Sequence, residues 1–364
     1  MSKILILTNH SYMLYRFRLE LIQALQKEHE VVLVMPFVGH EDDFRAMGIR
    51  CIETKLDRRN INPFKDLKLL HNYRKILKQE KPDLVLTYSI KPNLYGGLAC
   101  AMKKIPYCTH IQGLGSAFRR RFLAFLVGKL YQLTMRKARM VFFENRFNAD
   151  IFLQKKLLPA HKVCVLPGAG VNVSEYPYRP HCKHTPVRFL YLGRFMQEKG
   201  LDELFAAMEM LQKSHPNQAV LDLVGFYEDS YRDKVEALTQ KGLAVFHGFQ
   251  TDPRPFYEQA DCVVLPSYHE GMSNVLLEAA AMGRPLITSD IPGCREAVAD
   301  GVSGYLCNVQ DADSLYAAML RILHHTPEEL AQMGRKGAEK IRREFDRAQV
   351  VRSTMQLLFP EAES

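Results

Sequence analysis

The chain has 364 residues, 47% of them hydrophobic and 24% charged, which at roughly 150 residues per domain suits two globular domains and excludes a disordered or fibrous chain. A net charge of +9 hides an asymmetry: residues 1–180 carry 30 Lys and Arg against 14 Asp and Glu, and residues 181–364 carry 19 against 26. The eight cysteines are scattered without a C-x-x-C pair, which speaks for reduced thiols over a disulfide framework or a metal knuckle, and no run of about 18 apolar residues marks a membrane span.

In the first half, short apolar runs predict strands over Lys3–Thr8, Val31–Met35, Leu84–Thr87, Tyr107–Ile111, Met140–Phe143 and Val163–Leu166. Helical spacing appears over Arg16–Lys27, Leu67–Lys78 and Phe122–Arg136. Continuous apolar strands alternating with helices indicate a parallel sheet covered on both faces. The segment from Pro167 to Pro186 holds four prolines and two glycines and reads as a linker. The alternation then restarts, with strands over Arg188–Leu192, Val220–Val224, Val245–His247, Cys262–Leu265 and Leu286–Thr288. Helices are expected over Leu201–Gln212, Tyr231–Gln240, Asn274–Ala281, Asp313–Leu323 and Pro327–Phe345, with a last one over Arg347–Phe359. The expected fold class is α/β, as two doubly wound Rossmann-like domains: residues 1–172 and 187–345, a linker over 173–186, and a tail over 346–364 that packs back on the first domain.

Two common nucleotide signatures are missing. No G-x-x-x-x-G-K-[ST] run occurs, which argues against a P-loop ATPase. Gly113-Leu-Gly115-Ser-Ala-Phe118 begins like a dinucleotide fingerprint but has Phe in place of the third glycine and lies late in its half, which disfavours an NAD-dependent oxidoreductase.

The run Pro266-Ser-Tyr-His-Glu270-Gly271-Met272-Ser273-Asn274-Val-Leu-Leu-Glu278 follows a buried strand, turns on Gly271 and enters a helix. A helix start offers free N–H groups and the positive end of the macrodipole to an anion. Glu270 just before it and Glu278 two turns inside it can accept hydrogen bonds from hydroxyls on either side of a bound diphosphate. Gly193-Arg194-Phe-Met-Gln-Glu-Lys199-Gly200 repeats the strand–turn–helix layout and sets two cations at the sheet edge where open α/β sheets bind ligands. Cations at a helix start oppose its dipole, so a bound anion explains them better than helix stability does.

Together these two segments resemble glycosyltransferase family 4 of the GT-B type, whose signatures are G-R-x(4)-K-G and E-x(7)-E. The resemblance implies two Rossmann-like domains facing across a cleft, and transfer of a hexose or N-acetylhexosamine from a UDP-sugar with retention of configuration, without metal or other cofactor. It assigns Arg194 and Lys199 to the diphosphate, Glu270 to the donor sugar and Glu278 to the ribose. Gly193 and the Gly271, Met272, Ser273 and Asn274 backbone would cradle phosphate, and His247 and Gly248 would lie beside the base. Asp311-Ala-Asp313 matches the D-x-D of metal-dependent transferases, yet its place before an apolar helical run suits a helix cap.

Tyr15-Arg-Phe-Arg18, Asn62-Pro-Phe64, Ile105-Pro-Tyr107 and Gln112-Gly-Leu-Gly115 resemble the branch that adds N-acetylgalactosamine or galactose to undecaprenyl-diphosphate-linked oligosaccharides in bacterial glycan assembly. The acceptor-side candidates are therefore His10, Arg18, His110, Gln112, Gly113 and Gly115. The stretch Phe118–Arg139 has seven basic residues and no acidic one, with apolar residues between them. Such a composition suits the surface of an anionic bilayer, with Arg119, Arg120, Arg121, Phe122 and Lys129 as contacts and Lys103, Lys104, Lys155 and Lys156 extending the patch. The expected location is peripheral on the inner face of the plasma membrane, and the expected partners are a UDP-sugar and a polyprenyl-diphosphate-linked saccharide, with no nucleic acid. Two other readings stay open: a nucleotide-sugar epimerase of the same fold, and a basic nucleic-acid-binding module, which accounts for the charge but leaves the Arg194/Lys199 and Glu270/Glu278 pairs without a task.

Overall fold

The structure is a computed structural model that describes residues 1–56, 62–113, 121–180 and 183–360, with the backbone alone for 121–127. It divides into one unit made of Met1–Ala169 with the tail from Ala348, and a second unit, Gly170–Arg347.

The first unit holds a seven-stranded parallel sheet: β1 (Lys3–Leu7), β2 (Glu30–Met35), β3 (Arg50–Glu53), β4 (Leu84–Tyr88), β5 (Tyr107–Ile111), β6 (Met140–Phe143) and β7 (Val163–Val165), in the order β3-β2-β1-β4-β5-β6-β7. The central strands are apolar at nearly every position because both faces are covered. Successive side chains in a strand point to opposite faces, and the two faces have separate cores. Ile4, Ile6, Val31 and Leu33 join Leu14, Leu21 and Ile22 of the Ser11–Gln26 helix, together with Leu358 from the C-terminal helix. Leu5, Leu7, Val32 and Val34 instead join Leu69, Tyr73, Ile76 and Leu77 of the Pro63–Glu80 helix. Emptying such a site, as in Leu33→Ala, removes about 2–5 kcal/mol.

The second unit has six parallel strands, β8 (Val187–Phe195), β9 (Ala219–Tyr227), β10 (Ala244–Gly248), β11 (Cys262–Leu265), β12 (Leu286–Ser289) and β13 (Gly304–Cys307), ordered β10-β9-β8-β11-β12-β13. Strand order reverses between β8 and β11, which pair directly through Cys262↔Phe189 and Val263↔Leu190. The carboxyl ends of two strands on either side of such a reversal leave a crevice where α/β proteins bind ligands. From Gly170 on, the described residues of the proline-rich run before β8 belong to this unit. Tyr176 is 2% exposed within its core, and Lys183 Nζ donates to the carbonyls of Leu323 and His325, each at 2.7 Å.

Three differences from the sequence expectation have local causes. The first helix starts at Ser11, before the apolar spacing becomes regular. The Pro63–Glu80 helix starts earlier than expected because Asn62 caps it, accepting from Phe64 N and Lys65 N at 3.0 and 3.2 Å. The chain over Pro92–Gly96 and Gly97–Lys103 is helical in spite of its proline and glycine pair.

Candidate active site

β8 ends in Gly193-Arg194-Phe195, and a single turn over Gln197–Lys199 leads to Gly200. Gly200 has φ +71°, and a Cβ there would stand 2.0 Å from the Pro266 carbonyl oxygen. Only glycine lets the turn after β8 press so closely on the loop after β11. Tyr268 N donates to the Glu198 carbonyl at 2.9 Å and fastens the same two loops. The consequence is chemical. Lys199 Nζ donates directly to Glu270 Oε1, and Ser267 Oγ donates to the same oxygen at 2.9 Å. Both charged side chains are 15% exposed, so the pair lies at the crevice with one side open.

Arg194 is anchored differently. The buried Tyr191 hydroxyl donates to its carbonyl at 2.7 Å, and its guanidinium donates to Glu228 Oε2 at 2.7 Å from a half-exposed position. Burial, with a smaller contribution from the Glu270 charge, pushes the Tyr191 phenol well above its ordinary value, so it stays a neutral donor.

The loop after β11 is held from behind as well. Gly293, at φ +88°, would bring a Cβ within 2.4 Å of the Gly271 carbonyl, and Ser273 N donates to the Gly293 carbonyl at 2.9 Å. Ser273 caps the Asn274–Ala281 helix through Leu276 N, and Met272 is buried beside it. Among the described residues, Asn274 Oδ1 is a buried acceptor with no hydrogen-bond partner. Two turns on, Glu278 is 4% exposed and accepts from the Tyr257 hydroxyl at 3.0 Å. Burying a carboxylate costs several kcal/mol unless it is hydrogen-bonded, so this residue is no incidental surface acid.

Lys199, Glu270, Gly193 and Arg194 thus gather at the carboxyl ends of the paired strands β8 and β11, with Gly271, Ser273 and Asn274 at the adjoining helix start. His247 and Gly248 end β10, two strands away in the same sheet. The His247 ring is bound within the unit, its Nε2 lying 2.7 Å from Asp222 Oδ1, an oxygen that also accepts from Arg188 at 2.6 Å. Asp311 is a helix cap, accepting from Ser314 N at 2.9 Å and from Asn308 Nδ2 at 3.0 Å. Sequence reasoning passed over Glu228, Tyr257 and Ser267 as partners of the named residues. Glu228 directly follows β9 at the carboxyl edge, a position that an acidic residue after a buried strand could have flagged.

In the first unit two of the candidate residues, Arg18 and His110, turn inward. Arg18 is buried, donating to Glu144 at 3.0 Å and to the Gly168 carbonyl at 3.4 Å, with its guanidinium 5.4 Å from the Tyr88 ring centroid. His110 is the last residue but one of β5, stacked between Tyr88 at 4.2 Å and Phe142 at 4.6 Å. Burial, and then the Arg18 charge, hold its pKa well below the ordinary value, so the ring is neutral. His10 precedes the first helix with its ring edge-on to Tyr12. Gln112 and Gly113 follow β5, and an added Cβ on Gly113 would meet nothing within 4 Å. Gly115, Arg119 and Arg120 lie outside the described residues, as do the side chains of Arg121 and Phe122. Lys129 is exposed on the Arg121–Met135 helix.

Comparison with known proteins places the chain in a family. A model of glycosyl transferases group 1 matches residues 186–325, and one described as glycosyl transferase 4-like matches residues 3–145. The chain belongs to these glycosyltransferases. The transferase is 28% identical over 83% of its length to the N,N'-diacetylbacillosaminyl-diphospho-undecaprenol alpha-1,3-N-acetylgalactosaminyltransferase of Campylobacter jejuni, covering 84% of that protein. It is 26% identical to the Escherichia coli UDP-Gal:alpha-D-GlcNAc-diphosphoundecaprenol alpha-1,3-galactosyltransferase, over 84% of each chain. The transferase also shares its fold with Anabaena HepE, solved in complex with UDP and glucose, at a TM-score of 0.79 and 18% identity over 98% of this chain and 99% of that one.

Proposed function

We propose that this glycosyltransferase moves a hexosyl or N-acetylhexosaminyl group from a UDP-sugar to a saccharide carried on a polyprenyl diphosphate, with retention of configuration. The observation that carries the reading is the Lys199–Glu270 contact at the β8/β11 reversal, with Arg194 on the neighbouring stretch of β8. The second unit takes the donor and the first the acceptor. Lys199 and Arg194, each paired with a carboxylate, turn to the diphosphate, and Glu270 is left to accept from donor-sugar hydroxyls. Glu278, oriented by Tyr257, accepts from the ribose. The bond between the anomeric carbon and the diphosphate oxygen breaks, and negative charge grows where fixed cations and a helix start stand ready. The acceptor hydroxyl attacks the face that UDP leaves, and its proton passes to a departing phosphate oxygen. Two cations already in place meet the leaving-group charge, so the step calls on no metal. The Campylobacter jejuni and Escherichia coli relatives, whose names carry undecaprenyl-diphosphate acceptors, support the acceptor class. That acceptor places the enzyme at the inner face of the plasma membrane.

The test is to incubate the protein with a panel of UDP-sugars and a short-chain lipid-linked disaccharide, following UDP release and the anomeric configuration of the product by NMR. UDP released only with acceptor, and an α-linked product from an α-donor, are expected. Conversion of the donor sugar without acceptor would make the protein an epimerase instead. A β-linked product would end the retaining mechanism.

A further inference from the structure

The Pro63–Glu80 helix has two unlike faces. Leu69, Tyr73, Ile76 and Leu77 are buried against the sheet. On the far side Phe64 is 86% and Leu67 65% exposed. With Lys68, His71, Lys75 and Lys78, all exposed, they fall on one stripe at i, i+3, i+4 and i+7 spacing, about 21 Å long at 1.5 Å per residue. The apolar pair sits in the first two turns and the cations follow. A large aromatic left this open on a helix gains nothing for the core, and a cluster of such groups marks a contact surface.

Beside the stripe lies a cavity of about 770 Å3, walled by the chain after β3, by the same helix and by Lys91. Its lining includes Lys55, Lys65, Lys68, Lys75, Lys91 and His71, against two carboxylates, Glu53 and Asp66. Asp66 is itself bound by Lys91 at 2.8 Å and by the Tyr95 hydroxyl at 3.1 Å. The surplus is therefore cationic, spread over a concavity, and adjoins two exposed apolar side chains.

We propose that this stripe and cavity form a docking surface for a bilayer containing anionic phospholipid. Phe64 and Leu67 enter the headgroup–acyl boundary, and the lysines of the cavity hold phosphate groups. A helix with an apolar tip flanked by lysines binds an interface through buried apolar area plus attraction to anionic lipid. No helix among the described residues is long and apolar enough to cross a membrane, so a lipid-linked acceptor is met at a surface. The proposal rests on the lipid-linked acceptor for its need of a membrane, and it names where the membrane touches.

The experiment is sedimentation of the full-length protein with phosphatidylcholine vesicles, with and without phosphatidylglycerol, for wild type, F64S/L67S, K68E/K75E and K129E. Wild type should be captured only by the anionic vesicles, less so at high salt. Each double substitution on the stripe should weaken capture by roughly tenfold or more, at about fivefold per cation near the surface. Circular dichroism melting and transfer to a water-soluble acceptor should stay at wild-type levels in both double variants. Equal capture by neutral vesicles, no capture at all, or double variants that bind as wild type while K129E does not, would each overturn the proposal. Failure of wild-type transfer in solution would instead overturn the proposed activity, leaving the vesicle result to judge the surface by itself.

Discussion

In the second unit, the polar residues at the carboxyl ends of β8 and β11 reach one another: Lys199 meets Glu270, and Ser267 completes the contact. In the first unit the polar residues at the matching edge are spent on the interior, with Arg18 in a buried ion pair and His110 stacked between two aromatic rings. Both sheets are parallel and doubly wound, so the difference is not one of fold. It lies in the loops. Gly200 and Gly293 each bring backbone against backbone at distances no other residue permits, and two motifs 71 residues apart become one site. The first unit spends its charge outward, on the Pro63–Glu80 stripe and the lysine-lined cavity. On the proposed reading, one unit grips a small anion and the other meets an extended one.

The strongest challenge to that contrast is Lys199→Ala. Removing a preorganised cation from a site of developing charge should cost about 10²–10³ in turnover with the melting curve unchanged. Near wild-type transfer by this variant would leave the second unit without its distinguishing pair. Next comes Gly200→Ala, where the added methyl collides with the Pro266 carbonyl. A left-handed, sterically closed position should lose roughly 2–3 kcal/mol of stability, seen as a lower denaturation midpoint for the second unit together with weaker UDP binding. If the midpoint holds, the close approach of the two loops is not what assembles the site.

Tyr257→Phe is subtler. It strips a donor from the buried Glu278 carboxylate and should cost about 1–3 kcal/mol, read by calorimetry of UDP binding and by thermal melting. No change in either would mean that Glu278 needs no orienting partner. The smallest effect belongs to the first unit. The folded His110 pKa lies well below 6.5, so as pH falls through about 6.5 the unfolded chain takes up a proton that the folded ring refuses, and stability is lost. His110→Phe keeps the stack between Tyr88 and Phe142, and should flatten the fall of the melting temperature between about pH 7 and pH 5. If the variant keeps the slope and loses transfer instead, His110 acts on substrate and the first unit has an inner site after all.

The strands that escaped the sequence reading explain what periodicity can and cannot see. β3 and β13 are four residues long and close the two sheets at their edges. An edge strand need not be apolar throughout, so it leaves no run to find. The Arg146–Gln154 helix escaped although Asn145 caps it through Asn148 N at 2.9 Å, because a single Asn before nine residues reads equally as a turn. Glu270 and Glu278 were legible as a spaced pair of carboxylates, and Glu228 offered a cue in following β9 directly, while Tyr257 was not legible, since a partner drawn from a distant element carries no local signature.

By itself the amino-acid sequence determined the alternation of apolar runs and helical spacings, and with it two doubly wound sheets, because burial on both faces demands that pattern from every central strand. It also determined which cations and carboxylates were available beside a helix start. Only the tertiary structure decided that Lys199 would find Glu270, that Arg18 and His110 would be drawn into the interior, and that Phe64 would stand beside a basin of lysines. Those outcomes depend on how closely loops from different strands approach one another, a matter of a few ångströms set by packing across the whole unit and written in no single stretch of chain.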